Sequence, residues 1–453
     1  MAAFASRKDD NVKKNLAPTA GISTLTLSRR AGWDATSVLT AGLILTFAIP
    51  SYLSIPALGP AGKPGTLWFL GALLWWVWSQ LQRPFPVNSG RQPVRLMFFI
   101  LLGVILVSYS LSNFVGMPTR ETGLADGGVL KALSWAGILL IANDGAADRE
   151  RLLTLLRRTA LIGGLMASLG LVQFWSGQSL VSSIYIPGLT LDSGFDNVQS
   201  RGGFTRAAAT ASHPLEYGTV LCMSLPIAIG LAINDVHRGS LARWFPVAAI
   251  SAAAVLSVSR SALVGVVAGV AILAVSWSRP ARIRAAIVAV VAVIVTYLFI
   301  PGMVGTIRGL FVGLGEDTSA ASRTSSYSVA LEMAGRTSPV GRGFGTFLPD
   351  YRILDNQYLG LLIEIGTIGL LAFLGMILAG LLCCLFARRR LSDSLMRHLS
   401  YAMFASLAAG TVTFAFFDAL TFPIAADLMF FLLGLSGAVW RIARREDPVP
   451  GPL

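Results

Sequence analysis

Residues 357–386 read QYLGLLIEIGTIGLLAFLGMILAGLLCCLF, thirty residues with Glu364 as the only charge, and Ala387-Arg388-Arg389-Arg390 follows them. A hydrocarbon core about 30 Å thick asks for roughly 20 apolar residues of helix. This stretch is long enough to span it, and the arginine triplet marks a face on which basic residues collect. Comparable runs stand near 36–55, 66–81, 94–113, 125–142, 159–175, 214–233, 244–258, 261–277, 283–300, 396–417 and 422–440, about twelve spans in all. Composition agrees. Of 453 residues 54% are hydrophobic and 13% charged, about half the charged share of an ordinary soluble domain. The predicted fold is an all-α polytopic membrane protein.

The 36 Lys and Arg outnumber the 23 Asp and Glu, a net charge of +13. By itself that balance fits a nucleic acid or a membrane. Placing both termini in the cytosol collects the clusters, among them Arg279/Arg282/Arg284 and Arg388/Arg389/Arg390, on the inner side. The excess then reads as a topology signal, and no nucleic-acid partner is expected. Residues 1–35 read as a cytosolic disordered tail, 36–440 as the transmembrane domain and 441–453 as a second cytosolic tail. The three cysteines, Cys222, Cys383 and Cys384, exclude a disulfide framework and have no metal-ligand spacing.

Trp244 to Trp277 is too long for one span and short for two. It predicts a helical hairpin turning at Ser257-Val-Ser-Arg-Ser261. Arg260 would then lie near headgroup depth, where a charge is costly and a functional role is the default. Two outer loops are long, near 176–213 and 301–356. The first carries Arg201-Gly-Gly-Phe-Thr-Arg206. The second carries an amphipathic stretch from Arg323 to Arg336, with Tyr327, Ala330, Leu331 and Ala334 at helical spacing. After it comes Pro339-Val-Gly-Arg-Gly-Phe-Gly-Thr-Phe347, too irregular for a nucleotide loop. Together the loops read as a lid over a cavity at membrane level.

Arginine's planar fork suits phosphate oxygens, and Arg206, Arg260 and Arg323 stand near outer helix starts. Binding of anionic headgroups is the plain alternative for each. A substrate carrying phosphate at the outer face is a lipid-linked one. His213, Glu216, Glu332, Asp355 and Glu364 are the acid–base candidates, and the main ones have structural readings too. His213-Pro-Leu-Glu216 also reads as a helix start with Pro214 in first position. Asp355 also reads as an N-cap, and Glu364 as the partner of an arginine. Gly265-x-x-x-Gly269 reads as helix packing. The outer carboxylates are scattered, which points to metal-independent transfer with no cofactor.

Five motifs occur in order: Arg206-x₆-His-Pro-Leu-Glu-Tyr-Gly218, Ser257-Val-Ser-Arg-Ser-Ala262, Arg323-x₃-Tyr-x₂-Ala330, Ser338-Pro-x-Gly-x-Gly-x-Gly-x-Phe347, and Asp355-Asn-Gln-Tyr-Leu359 with Glu364-x-Gly-x-x-Gly369. From about 200 to 370 the chain thus resembles the O-antigen ligase and O-antigen polymerase superfamily of bacterial envelope enzymes. The resemblance implies a GT-C-like membrane glycosyltransferase acting at the outer face of the cytoplasmic membrane. Its donor would be a glycan on polyprenyl (undecaprenyl) diphosphate, and its acceptor a glycan or glycolipid. Arginines matching Arg206 and Arg260 would hold the diphosphate, assisted by the one matching Arg323. A His-Asn pair usually stands where this chain has Asp355-Asn356. Either Asp355 replaces the base, or the chain marks a different subgroup. His213 and Glu216 are rival catalytic residues, and Glu332, Arg342, Tyr358 and Glu364 are supporting ones. Two other readings stay open: a transporter or flippase for an anionic glycolipid or small anion, and a peptidoglycan-type glycan polymerase. Only Lys131 and Glu364 read as intramembrane charges, few for ion coupling.

Overall fold

The computed structural model describes residues 34–82, 91–182, 184–191, 199–201, 203–312, 318–336, 339–348 and 350–446. Most of both expected tails, residues 1–33 and 447–453, lies outside them, as does the side chain of Arg323. The first nine helices are α1 (Ala35–Ala48), α2 (Pro64–Leu81), α3 (Pro93–Val115), α4 (Thr119–Gly145), α5 (Arg149–Ser176), α6 (Pro214–Asn234), α7 (Ser240–Leu256), α8 (Arg260–Ala274) and α9 (Arg279–Phe299). Two helices of the long second loop follow, α10 (Met303–Phe311) and α11 (Thr318–Arg336), then α12 (Gln357–Glu364), α13 (Gly366–Arg390), α14 (Ser394–Thr413) and α15 (Pro423–Glu446).

Eight of these, α3, α4, α5, α6, α9, α13, α14 and α15, are long and apolar enough to cross a membrane. The shorter apolar helices α1, α7 and α8, with the tryptophan-rich α2, complete the expected runs. Each apolar run forms helix, the first only as far as Ala48, because a backbone in lipid must satisfy its own hydrogen bonds. The protein is an all-α polytopic membrane protein. The hairpin between Trp244 and Trp277 is present: α7 and α8 are separated at Ser257–Ser259, where Val258 takes a left-handed φ of 46°. One expectation needs correcting. The run 357–386 is two helices, broken at Ile365–Gly366, where Gly366 has φ 68°.

Helix polarity sorts the ends into two sets. At one end Arg151 meets Asp34 at 3.6 Å and Arg149 meets Asp393 at 3.5 Å, which joins the starts of α1, α5 and α14. Asp34, Asp148 and Asp393 are N-caps there, each accepting a backbone N–H three residues on. The ends of α4, α13 and α15 share this face, for Arg441 donates to the carbonyls of Asn143 and Ala146, and Ser392 to Glu446. Arg388 lies over the Tyr401 ring at 4.3 Å and Arg390 over Trp440 at 4.9 Å. The opposite end holds the starts of α2, α6, α8, α12 and α15 and both long loops.

Inside the bundle α6 and α15 are buried on nearly all sides, whereas α9 buries no side chain at all. Close approach depends on small residues, the usual device where lipid removes the hydrophobic drive between helices. A Cβ at Gly218 would lie 2.7 Å from that of Ala262, and one at Gly265 would lie 2.8 Å from Cys222 Sγ. A Cβ at Gly269 would meet Pro226 and Ala409. The Gly265/Gly269 pair is therefore helix packing, as expected, and it fixes α8 against α6 and α14.

Candidate functional site at the loop-rich end

The first long loop is built on two short ribbons. Strand β1 (Leu53–Ser54) pairs antiparallel with β2 (Thr190–Leu191), and β3 (Gln199–Arg201) with β4 (Phe204–Arg206). Phe204 stacks on Phe174 of α5, ring centroids 6.2 Å apart, and packs against the Leu256/Val258/Met303 cluster. The hairpin is thereby pressed onto the α7–α8 turn and the start of α10. Gln173, in the last turn of α5, accepts the N–H groups of Ala208 and Ala209 at 3.3 and 2.7 Å and donates to the Ala209 carbonyl. Thr210 donates to the Phe47 carbonyl, so residues 206–213 are held between α1 and α5.

Arg206 donates from Nη1 to Gln199 Oε1 at 3.0 Å, while its Nε is buried with no hydrogen-bond partner among the described residues. Burial, and then the charge of Arg201, pull the guanidinium down to about 10. Burial followed by the Arg206 charge pulls His213 down to about 4, so the ring is neutral at physiological pH. Its Nδ1 accepts the Leu215 N–H at 3.1 Å, which places the ring proton on Nε2. His213 is the N-cap of α6, with Pro214 in first position, as the sequence read. Arg260 opens α8 directly after the cap Ser259, and the Gly218–Ala262 contact sets that start against the first turns of α6.

Glu216 is fully buried and saturated. Its Oε2 accepts from the Ser212 N–H at 2.9 Å, the Ser212 hydroxyl at 3.0 Å and the Ser51 hydroxyl at 3.2 Å, and its Oε1 from the Ile424 N–H at 2.7 Å. One carboxylate thus ties the end of α1 to the starts of α6 and α15. Next to it a shallow crevice is lined by Thr46, Ser51, Lys63 and Asp427 among others. Asp427, also buried, accepts from the Thr46 hydroxyl at 3.2 Å. Glu216 and Asp427 are thus two buried carboxylates at the starts of α6 and α15, and the sequence reading named only the first. Asp427 escaped it because Pro423-Ile-Ala-Ala-Asp427 looks like the polar rim of a span.

The second loop forms the other side. The N-cap of α12 is Asn356: its Oδ1 accepts the N–H groups of Tyr358 and Leu359 at 3.0 and 3.4 Å, and its Nδ2 donates to the Tyr327 hydroxyl of α11 at 3.2 Å. The expected cap, Asp355, sits one residue earlier with a left-handed φ of 49°. Helix α11 covers Arg323–Arg336, yet its buried face carries Ser326 and Ala330, while Tyr327 and Leu331 are exposed. That face is turned by one residue because Ser326 packs against the segment before α12, where it donates to Ile353 O and accepts from Arg352 Nε. Tyr358 donates to the Thr411 carbonyl at 2.6 Å, and Gln357 accepts the Leu420 N–H at 2.7 Å.

The glycine-rich turn is a structural key. Gly341, Gly343 and Gly345 have φ of 80°, 117° and 80°, and each backs onto a neighbouring segment. Gly343 N–H donates to the Glu364 carbonyl at 2.9 Å, Ile368 N–H to the Pro339 carbonyl at 3.2 Å, and Phe347 N–H to Glu364 Oε1 at 3.1 Å. The turn fills the α12–α13 break, and the Glu364 carboxylate takes a backbone donor where an arginine was expected. Arg342 instead reaches Glu121 of α4 at 2.6 Å, and Glu332 pairs with Arg336 at 2.5 Å on an exposed surface.

Between α14 and α15 a linker carries Phe417, Asp418 and Phe422. Phe422 lies against His213, ring centroids 5.8 Å apart, and Phe417 against Phe422 at 5.4 Å. The α6 start and the α12 start therefore meet across this linker. Of the candidates named from sequence, Arg206 and His213 are neighbours, Arg260 belongs to the packed α6–α8 start, and Asp355 and Asn356 stand across the linker. Glu332 and Arg342 are held by partners of their own.

Residues 245–374 match the family model described as O-antigen ligase. That segment is similar to an O-antigen ligase domain. It runs from α7 through α12 into α13 and includes Arg260, Arg323, Asp355, Asn356 and Glu364. The match supports the resemblance to the O-antigen ligase and polymerase superfamily. A search of curated proteins returns no match. Arg206, His213 and Asp418 lie outside the matched segment in sequence, and the packing of β4, α6 and the linker brings their elements to it.

Proposed function

We propose that the protein is a membrane glycosyltransferase that moves a glycan from a polyprenyl diphosphate to a glycan or glycolipid acceptor. The observation that carries this reading is Arg206: a half-buried guanidinium near Arg201, its Nε buried and without a hydrogen-bond partner among the described residues, on the hairpin that packs against the α7–α8 turn. A cationic N–H turned away from bulk water is suited to an anion. A diphosphate supplies that anion, and arginine's fork suits its oxygens. The loop-rich end is then the extracytoplasmic face of the bacterial cytoplasmic membrane, opposite the arginine-rich helix ends.

In the reaction an acceptor hydroxyl attacks the anomeric carbon of the donor. The bond from that carbon to the diphosphate oxygen breaks, and polyprenyl diphosphate leaves with the electron pair. Arg206 and Arg260, assisted by Arg323, stabilise the charge that grows on the leaving oxygen. The acceptor proton passes to Asp355, with Asn356 fixing the start of α12 beneath it. Glu216, with both oxygens occupied, fastens the mouth. His213, neutral, offers its Nε2 proton as a hydrogen-bond donor.

The test is incubation of purified protein with a polyprenyl-diphosphate-linked oligosaccharide and an acceptor glycan. One discrete addition identifies a ligase and a ladder a polymerase. Flux of the lipid in liposomes with no glycan product would favour a transporter instead. Arg260→Ala should lose at least about 100-fold in kcat/KM while eluting as a folded protein; full activity in it overturns the mechanism.

A further inference from the structure

The proposed reaction occupies the loop-rich end. At the opposite end α13 and α15 finish side by side, packed so closely that a Cβ at Gly380 would lie 2.7 Å from Leu433 Cδ2. Three arginines of their last turns, Arg389, Arg390 and Arg444, gather around two neighbouring rings. Arg390 and Arg444 stand over the Trp440 indole at 4.9 and 5.9 Å, Arg389 stands over the Phe386 ring at 5.9 Å, and the two ring centroids are 6.5 Å apart. The nearest carboxylates in sequence are engaged elsewhere. Glu446 accepts from the Ser392 N–H and hydroxyl, while Asp393 caps α14 and meets Arg149. Arg390 has a further interaction of its own. Arg389 and Arg444 are exposed and meet no carboxylate at ion-pair distance among the described residues. Basic residues in a last turn suit the helix dipole, and arginines collect on the cytosolic side of a membrane. Those two rules account for arginines here, but not for three of them converging on one pair of rings.

We propose that this cluster is the seat of an anionic phospholipid headgroup of the surrounding bilayer. Stacking on a ring holds a guanidinium in place, and its edge N–H groups stay available for phosphate oxygens. The phosphate diester brings the negative charge that Arg389 and Arg444 lack. The acyl chains have a place as well. Leu371, Leu374, Leu378, Leu382 and Phe386 follow one another at helical spacing along α13, all exposed, and this stripe runs directly into Arg389 and Arg390. Half a hydrocarbon core is about 15 Å, or roughly ten residues of helix. One acyl chain therefore reaches from the arginines to Leu378. Basic pockets between helix ends are a recurring seat of such headgroups. A soluble phosphate would meet the charge but would make no use of the apolar stripe, and that stripe favours the lipid.

The test is native mass spectrometry of the full chain in a neutral detergent, with phosphatidylglycerol or phosphatidylcholine added. Phosphatidylglycerol should stay bound as a single lipid per chain and raise the thermal midpoint, whereas phosphatidylcholine should do neither. Arg389→Gln combined with Arg444→Gln should weaken phosphatidylglycerol binding by about 5-fold per arginine, roughly 25-fold for the pair. Without added lipid this double variant should melt as the wild type does, since neither side chain has a carboxylate to lose. Arg279→Gln combined with Arg284→Gln removes two arginines from the start of α9, at the same end of the bundle, and should leave binding unchanged. Equal binding of the two lipids by the wild type, or equal losses in the two double variants, overturns the proposal and leaves these arginines a topology signal. Displacement of the lipid by millimolar inorganic phosphate would overturn the lipid assignment in favour of a soluble anion. Each readout is independent of glycan transfer.

Discussion

Glu216 illustrates what a single residue can hide. Its position three residues after His213 made it legible as a helix-start acid, and acid–base chemistry was an equal reading. Its four donors come from Ser51, Ser212 and Ile424, the last separated by 208 positions, and no local pattern contains that information. Glu216→Ala strands several buried donors, each costing about 1–3 kcal/mol. The variant should lose about 3 kcal/mol or more of stability, seen as a large drop in thermal midpoint in detergent. Glu216→Gln, which keeps one acceptor oxygen, should lose clearly less. Equal midpoints for Glu216→Ala and the wild type would return the residue to the catalytic list.

At the scale of elements, the glycine-rich turn and the break in α12–α13 explain each other. The sequence displayed Gly341, Gly343 and Gly345 at alternate positions, and all three sit at φ between +80° and +117°. It did not display what they face. A Cβ on Gly341 would run into the Glu364 carbonyl group, whereas one on Gly116, also left-handed at φ 93°, would meet nothing within 4 Å. Gly116→Ala should therefore cost only the left-handed penalty, about 1–2 kcal/mol. Gly341→Ala adds a clash with backbone and should cost more, in folded yield or thermal midpoint. Similar losses for the two would mean that the turn is not wedged in the break. The same logic explains the rotated face of α11: its amphipathic pattern was readable, but which side is covered depends on the residues before α12.

For the whole molecule the testable quantity is orientation. Cys222, Cys383 and Cys384 are all buried, so the native background to thiol reagents is low. Tyr185, 82% exposed in the first long loop, and Arg238, exposed between α6 and α7, lie at opposite ends of the bundle. A membrane-impermeant maleimide added to the periplasmic side should label Tyr185→Cys and spare Arg238→Cys. The reverse pattern would overturn the placement of the site on the extracytoplasmic face.

The sequence by itself determined that the apolar runs are helical and where the hairpin turns at Ser257–Ser261, because each depends on a continuous run of apolar residues or on its interruption. It also marked Arg206, Arg260 and Asp355-Asn356, because charge beside a span is conspicuous. Only the tertiary structure decided which of these residues meet. Asp427 lies in apolar surroundings that resemble any helix boundary in one dimension, and it gains its meaning from Thr46 on another helix. Span formation is a local balance between backbone hydrogen bonds and lipid. A site is assembled by packing, and packing here runs through small contacts such as Gly218 on Ala262 that no charge or hydropathy pattern announces.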